Sequence, residues 1–511
     1  MQQSSISGAF VPRIGSAPAI ATTASWRFAQ FLLLYSAVLM IFALFALGAG
    51  PLHHDMTEAW AWGKEFQLGY AKHPPLSAWL AGAWFTVFPR TQSNFYLLST
   101  VNIAVALTGV WTLAGLFLDK RGRWAAVLFL VLTPSFSVWA LRFNANAPLL
   151  STWPWLTYFF LQSLQTRRLS FAIGAGAVGA LALLTKYYAL ALFGTLFLVA
   201  LLHPERRRYF RSPAPYVTAA VGLLLVTPHV YWTVASGFPT VEYAVSKTHY
   251  SVADARSHVI TSASVSLGLL GVPLSALLAS IGGASRRGIG RSKGANLNRD
   301  KAWLVCLALG PFVLTILTYF AFNARITSGF LIPAFFAFPV VALVLSGIVL
   351  TRIALRRFAI CAAAIWLPVA VVSPLLGAHA LGDKQKTRIE PREAVAAAAT
   401  DYWRAAYGRP LRIVAGKKRL ATAATFYSAD APAYFDSEKP ENTPWVSSRD
   451  VEEEGVLFIC PTDHSLCLAR ANSFAEGAAM RITREFVPHF LGVLAKPQSF
   501  TFILHPPKSF R

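Results

Sequence analysis

Apolar runs of membrane-spanning length alternate with short polar junctions from residue 28 to residue 378. A helix needs roughly 20 apolar residues to cross a bilayer, and fewer where its ends are wet. By that measure the pattern predicts spans near 28–50, 95–118, 124–141, 148–164, 169–185, 187–203, 214–235, 259–283, 302–322, 330–350 and 358–378. The first polar junction, 51–94, differs from the rest. It carries His53-His54-Asp55-Met56-Thr57-Glu58-Ala59-Trp60-Ala61-Trp62, then Gly69-Tyr70, then Lys72-His73-Pro74-Pro75-Leu76. As a helix, Asp55 to Tyr70 sets Asp55, Glu58, Trp62 and Glu65 on one face, which puts carboxylates beside an indole at the water–lipid boundary. Pro74-Pro75 can open a second helix from Leu76 to Phe88, since proline is tolerated in the first turn. At about 13 residues that helix is too short to span and suits the membrane interface instead.

Beyond residue 379 the hydropathy falls and a different pattern begins. Glu390 to Ala405 reads as a helix, Leu411 to Ala415 as a strand, and Ala421 to Tyr427 as a helix or strand. Val456 to Cys460 and Phe500 to His505 read as strands, and 471–495 as mostly helical and polar. These elements make a soluble α/β domain of about 130 residues, large enough for its own core. It holds no glycine-rich phosphate loop. Cys460 and Cys467 enclose Pro-Thr-Asp-His-Ser-Leu. They read as a disulfide on an oxidising side of the membrane, with metal ligation alongside Asp463 and His464 as the other reading. Cys306 and Cys361 fall inside spans and read as core residues.

Composition fits this division. Of 511 residues 55% are hydrophobic and 14% charged, whereas a soluble chain carries about a quarter charged residues. The net charge of +23 does not indicate nucleic acid, because Lys and Arg fall in short clusters between apolar runs instead of forming one basic face. The clusters are Arg27; Lys120, Arg121 and Arg123; Arg167 and Arg168; Arg206, Arg207, Arg208 and Arg211; Arg286, Arg287, Arg291, Lys293, Arg299 and Lys301; and Arg352, Arg356 and Arg357. All fall at alternate junctions, so an N-in chain with eleven spans satisfies the retention of basic residues in the cytoplasm. Residues 1–26 are then a cytoplasmic tail before an uncleaved anchor, 27–378 the transmembrane domain, and 379–511 an α/β domain on the opposite side. That opposite side also receives the 51–94 loop, Arg142-Phe143-Asn144-Ala145-Asn146, Lys186-Tyr187-Tyr188, the 236–258 loop and Asn323-Ala324-Arg325. The unusual polar residues therefore share one face of the membrane. Tyr187, Tyr188, Trp153 and Trp155 read as interfacial belt aromatics, Lys186 as a snorkelling residue or a ligand contact, and His229 and His249 as solvated.

Glu58-Ala59-Trp60-Ala61-Trp62, Leu68-Gly69-Tyr70 and His73-Pro74-Pro75-Leu76-Ser77-Ala78-Trp79-Leu80 together resemble the first periplasmic loop of a bacterial enzyme group. This is the protein-mannosyltransferase-like glycosyltransferases of the GT-C class (family 39/83 type), which includes the lipid A aminoarabinose transferase. Leu184-Thr185-Lys186-Tyr187-Tyr188-Ala189, Thr227-Pro228-His229-Val230-Tyr231-Trp232, and Arg325 with Leu331-Ile332-Pro333-Ala334 extend the resemblance over roughly residues 28–350. It implies a GT-C-type enzyme of the bacterial inner membrane that takes a sugar from a polyprenyl phosphate and passes it to a lipid, glycan or protein acceptor on the periplasmic face. No nucleotide sugar and no cofactor are required, although a divalent metal is compatible.

Such a displacement needs a carboxylate to take the acceptor proton and cations to hold the departing phosphate. Asp55 and Glu58 are the candidates for the first task; Lys72, His73, Lys186 and Arg325 for the second. Asn144, Asn146, Trp62 and Tyr70 are candidates for acceptor contact. Two departures from the family pattern bear on these roles. The family commonly has adjacent Asp-Glu before the aromatic pair, whereas here Thr57 precedes Glu58. We assign Asp55 as the base, with Glu58 as the position-keeping alternative. Where many members carry Pro-Asp after the third span, this chain has Asn144-Ala145-Asn146, and an amide hydrogen-bonds but takes no proton. The competing reading is a transporter or flippase for a lipid or polysaccharide. It lacks the internal repeats and intramembrane ionisable residues that transporters usually show.

Overall fold

The computed structural model describes residues 26–48, 50–248, 250–282, 301–323, 328–382, 390–474 and 479–510. The N-terminal tail, His249, Arg325 and the basic run from Arg286 to Arg299 lie outside the described residues.

The helical body begins with α1 (Trp26–Phe42), α2 (His54–Gly63), α3 (Leu76–Val87), α4 (Gln92–Ala114), α5 (Lys120–Val131) and α6 (Ala147–Thr166). It continues with α7 (Leu169–Thr185), α8 (Ala189–Leu202), α9 (Arg206–Phe210), α10 (Ala214–Ala235) and α11 (Pro239–Val245). α12 (Val252–Gly268), α13 (Gly271–Gly282), α14 (Ala302–Phe322), α15 (Phe338–Ser346) and α16 (Arg352–Gly382) complete it. Among the described residues, six helical stretches are long and apolar enough to cross a bilayer: Trp26–Leu47, Gln92–Ala114, Ala214–Ala235, Val252–Ile281, Ala302–Phe322 and Arg352–His379.

Two expected spans are broken at proline. The 124–141 run is α-helical to Val131 and then passes through a 3-10 turn at Pro134–Phe136, since Pro134 has no amide hydrogen to carry the ladder on. The 330–350 run is divided between a 3-10 stretch, Ser328–Phe335, and α15, with Pro333 and Pro339 imposing the break.

In the first loop, the His53 imidazole caps α2 by accepting from the Asp55 amide at 3.2 Å. The helix expected to reach Tyr70 ends instead at Gly63, and Phe66 takes a left-handed conformation at φ +46°. Tertiary packing explains that end. A Cβ on Gly63 would stand 2.1 Å from the Ala78 carbonyl oxygen, so α2 and α3 meet backbone to backbone. Glu65 consequently leaves the face it was expected to share with Asp55 and Glu58, and pairs with Lys64.

The C-terminal domain contains α17 (Arg392–Tyr407), β1 (Ile413–Gly416), α18 (Lys418–Tyr427), β2 (Ala433–Tyr434), α19 (Ser448–Glu454), β3 (Val456–Pro461) and α20 (Ser465–Ser473). β4 (Met480–Phe486), β5 (His489–Phe490), β6 (Val493–Leu494) and β7 (Gln498–His505) follow. The main sheet has the order β2-β1-β3-β7-β4, with β1 parallel to β2 and β3, and β7 antiparallel to β3 and β4. Alternation along the strands divides the core. Val414, Leu457, Ile459, Phe502 and Leu504 pack under α17 and α18, while Ile413, Ala415, Phe458, Cys460 and Ile503 face α20. Cys460 and Cys467 are joined by a disulfide that ties the end of β3 to α20.

The expectation of helix across 471–495 is corrected. After α20 this stretch forms β4 and a two-residue hairpin at Leu491-Gly492, both with positive φ, and β4 owes its form to seven cross-strand pairs with β7.

Candidate functional site

The first loop, the α5–α6 junction, the α7–α8 junction and α18 converge on one polar cluster. α2 supplies Asp55 and Glu58. Asn144 donates from Nδ2 to Asp55 Oδ2 at 3.2 Å, and its own Oδ1 accepts from the Asn146 amide at 2.8 Å. Asn146 Oδ1 in turn accepts from Lys186 Nζ at 2.9 Å. A chain of three hydrogen bonds, the middle one from the Asn146 backbone amide, thus runs from the first-loop carboxylate to the lysine between α7 and α8. Asp55 also meets the His54 Nε2 at 3.1 Å and the His53 Nδ1 at 3.4 Å.

Glu58 has a different environment. Its Oε1 accepts from Lys72 Nζ at 2.9 Å and from Lys418 Nζ at 2.6 Å, with only 7% of its side chain exposed. Burial pushes the Glu58 carboxyl up, but the Lys418 and Lys72 ammonium groups overcome it and hold it down at about 2. Burial opposes ionisation of Asp55 as well, yet the His54 hydrogen bond, the two imidazoles and the Asn144 amide keep it well below the usual carboxylate range. Both acids are therefore anions at neutral pH.

The cations divide similarly. Burial opposes the charge on Lys72, and Glu58 more than restores it, leaving Lys72 above its ordinary value. Burial pulls Lys186 down to about 7, against the attraction of Asp55. Burial, reinforced by Lys186, lowers His73 to about 3. His73, expected among the cations, is instead a neutral imidazole, able to hydrogen-bond a phosphate but not to balance its charge. Its ring stands edge-on to Tyr243 of α11 at 5.8 Å.

Trp62 and Tyr70 stack at 5.2 Å and are buried. The Tyr70 hydroxyl donates to the Trp62 carbonyl at 2.8 Å and accepts from the Gln67 amide at 3.0 Å, so it braces the loop. Gly69 supplies the other half of that motif: a Cβ there would fall 2.2 Å from the Trp232 ring, so only glycine lets the loop press onto α10. One turn earlier on α10, His229 Nδ1 donates to the Leu68 carbonyl at 2.8 Å, which leaves Nε2 to accept from the Tyr187 hydroxyl at 2.9 Å. The Gly-Tyr and Thr-Pro-His motifs are thus two sides of one contact.

His229 is buried and not solvated, and Trp153 is fully enclosed against Tyr188 and Phe336 and is no belt aromatic. Tyr188 reaches Thr315 of α14 through its hydroxyl at 2.9 Å. Arg325 lies outside the described residues.

For a metal, His53, His54 and Asp55 bring three ligand atoms within 4.8 Å of one another. This oxygen–nitrogen set suits a divalent cation. The sequence reading missed Lys418 and Tyr243. For Lys418 a signal existed: Lys417-Lys418-Arg419 is a basic triplet away from any membrane-spanning run, so the retention of basic junctions does not account for it.

Residues 72–232, which include Lys72, His73, Asn144, Asn146, Lys186 and His229, match the dolichyl-phosphate-mannose-protein mannosyltransferase family. Lipid A galacturonosyltransferase RgtD of Rhizobium johnstonii is 25% identical over 202 residues, a match that spans 39% of this chain and 41% of that protein. The crystal structure of ArnT from Cupriavidus metallidurans bound to undecaprenyl phosphate superposes with a TM-score of 0.62 at 15% identity, over 94% of this chain and 98% of that one. The apo form of the same protein gives 0.59 at 13% identity, over 93% and 98%. The chain thus shares the fold of ArnT over nearly its whole length, and the stretch that resembles the mannosyltransferase family lies within its helical body.

Proposed function

We propose that this protein transfers a sugar from a polyprenyl monophosphate to a lipid acceptor on the outer face of the bacterial inner membrane, with Asp55 as general base. The observation that carries the reading is the contrast between the two α2 carboxylates. Glu58 is neutralised by Lys72 and Lys418, whereas Asp55 is an ionised group whose contacts are an amide and two imidazoles. In this reading the acceptor oxygen forms a bond to the anomeric carbon as the bond to the phosphate oxygen breaks. The proton passes to Asp55, and the electron pair leaves with the polyprenyl phosphate, inverting the anomeric centre.

Lys72, Lys186 and, by resemblance, Arg325 meet the departing phosphate, with His73 as a neutral hydrogen-bond partner. Asn144 orients the base, and Asn146 holds Lys186. The reading gains support from the undecaprenyl phosphate bound to ArnT and from the lipid A acceptor in the name of RgtD. The basic clusters favour a cytoplasmic N-terminus and a periplasmic C-terminal domain. The reaction requires no cofactor; a divalent cation at His53, His54 and Asp55 would compete with the base role of Asp55. Purified protein should turn over a polyprenyl-phosphate sugar and leave a nucleotide sugar untouched; turnover of the nucleotide sugar alone would sink the proposal.

A further inference from the structure

The C-terminal domain lies directly on the catalytic loop. Thr57 and Thr422 share a hydrogen bond at 3.3 Å, Trp60 Nε1 donates to the Thr425 carbonyl at 3.3 Å, and Lys64 Nζ donates to the Ala431 carbonyl at 2.7 Å. Arg90 donates to the Thr425 and Ser428 carbonyls at 3.1 and 2.6 Å, and Arg392 to the Leu52 carbonyl at 3.1 Å. These contacts fix the first residue of α18, Lys418, over the loop. Its ammonium is 2.6 Å from Glu58 Oε1 and 5.5 Å from the Trp62 ring centre.

Two ammonium groups therefore share one carboxylate oxygen. A lone Lys72–Glu58 pair would be electrically neutral and would offer little to an incoming phosphate. A third group, carrying one more positive charge, restores the attraction. The other charged or titratable groups interacting with Glu58 are His73, Tyr243 and Tyr434; His73 is neutral, and neither tyrosine is anionic at neutral pH.

We infer that Lys418 is a positioning residue through which the C-terminal domain completes the donor site: by sharing Glu58, it leaves Lys72 with net positive charge for the phosphate of the lipid donor. The inference rests on the donor reading given above. It gives the C-terminal domain a role in donor binding beyond covering the membrane body.

Binding of undecaprenyl phosphate to the purified full chain tests it directly, with undecaprenol as the uncharged control. Lys418→Met should weaken binding about five- to tenfold, in the range for a half-exposed charge, without changing the affinity for undecaprenol. Lys418→Arg should restore it. The decisive variant is the double substitution Glu58→Gln with Lys418→Met, which removes one charge of each sign. It should bind undecaprenyl phosphate within about twofold of wild type, because the local balance is recovered although two contacts between domain and loop are lost. If the double variant binds as weakly as Lys418→Met or more so, Lys418 serves only to hold the domain in place. Equal binding by wild type and Lys418→Met would overturn the role of Lys418 alone. Failure of the wild-type chain to prefer undecaprenyl phosphate over undecaprenol would overturn the donor reading itself.

Discussion

Asn144 reaches across from the α5–α6 junction to hold the Asp55 carboxylate at 3.2 Å. The amide can orient a base but cannot act as one. In the proposed reaction, proton removal then falls on the first-loop carboxylates.

Asp55→Asn keeps size and hydrogen bonding while removing basicity. It should lower turnover about a hundredfold to ten-thousandfold, with donor binding intact. Glu58→Gln should cost much less in turnover. Steady-state kinetics of the two variants distinguish the roles, and the reverse ranking would make Glu58 the base.

Lys186, held down to about 7 by burial, should make donor binding sensitive to pH near neutrality. The phosphate selects the charged ammonium, so affinity is full below this value and falls as pH rises through it. Lys186→Arg, charged throughout, should remove that limb of the profile. Donor dissociation constants between pH 6 and pH 9 provide the check, and an unchanged profile in the arginine variant would count against the assignment.

Trp403 is fully buried under the sheet beside Tyr407, in contact with the α17 and β3 core. Trp403→Ala should destabilise the C-terminal domain by about 3–5 kcal/mol. Pulse proteolysis of the full chain in urea should show cleavage after residue 390 at lower denaturant, with the transmembrane fragment still protected.

Ser437 lies in the C-terminal domain between β2 and α19. Ser437→Cys should react with an impermeant maleimide in intact spheroplasts. Labelling only after lysis would put the domain, and the cluster it covers, on the cytoplasmic side.

The sequence by itself determined the membrane class, the alternation of apolar run and basic cluster, and the first loop as the place where acids gather. Each depends on local chemistry: a helix that crosses hydrocarbon must be long and apolar, and a loop this rich in Asp, Glu, His and Trp is legible without knowing its neighbours. The division into a helical body and a sheet-containing domain was equally legible, because the hydrophobic period changes from helical to alternating after residue 379. Contacts distant in sequence decided the rest. α2 stops at Gly63 because Ala78 stands against it; β4 is a strand because β7 is beside it; His73 is neutral because burial and Lys186 surround it. Asp55 and Glu58 are three residues apart on one helix, and nothing local separates their surroundings. Lys418, 360 positions beyond Glu58 in the chain, separates them, and only the folded domain brings it there.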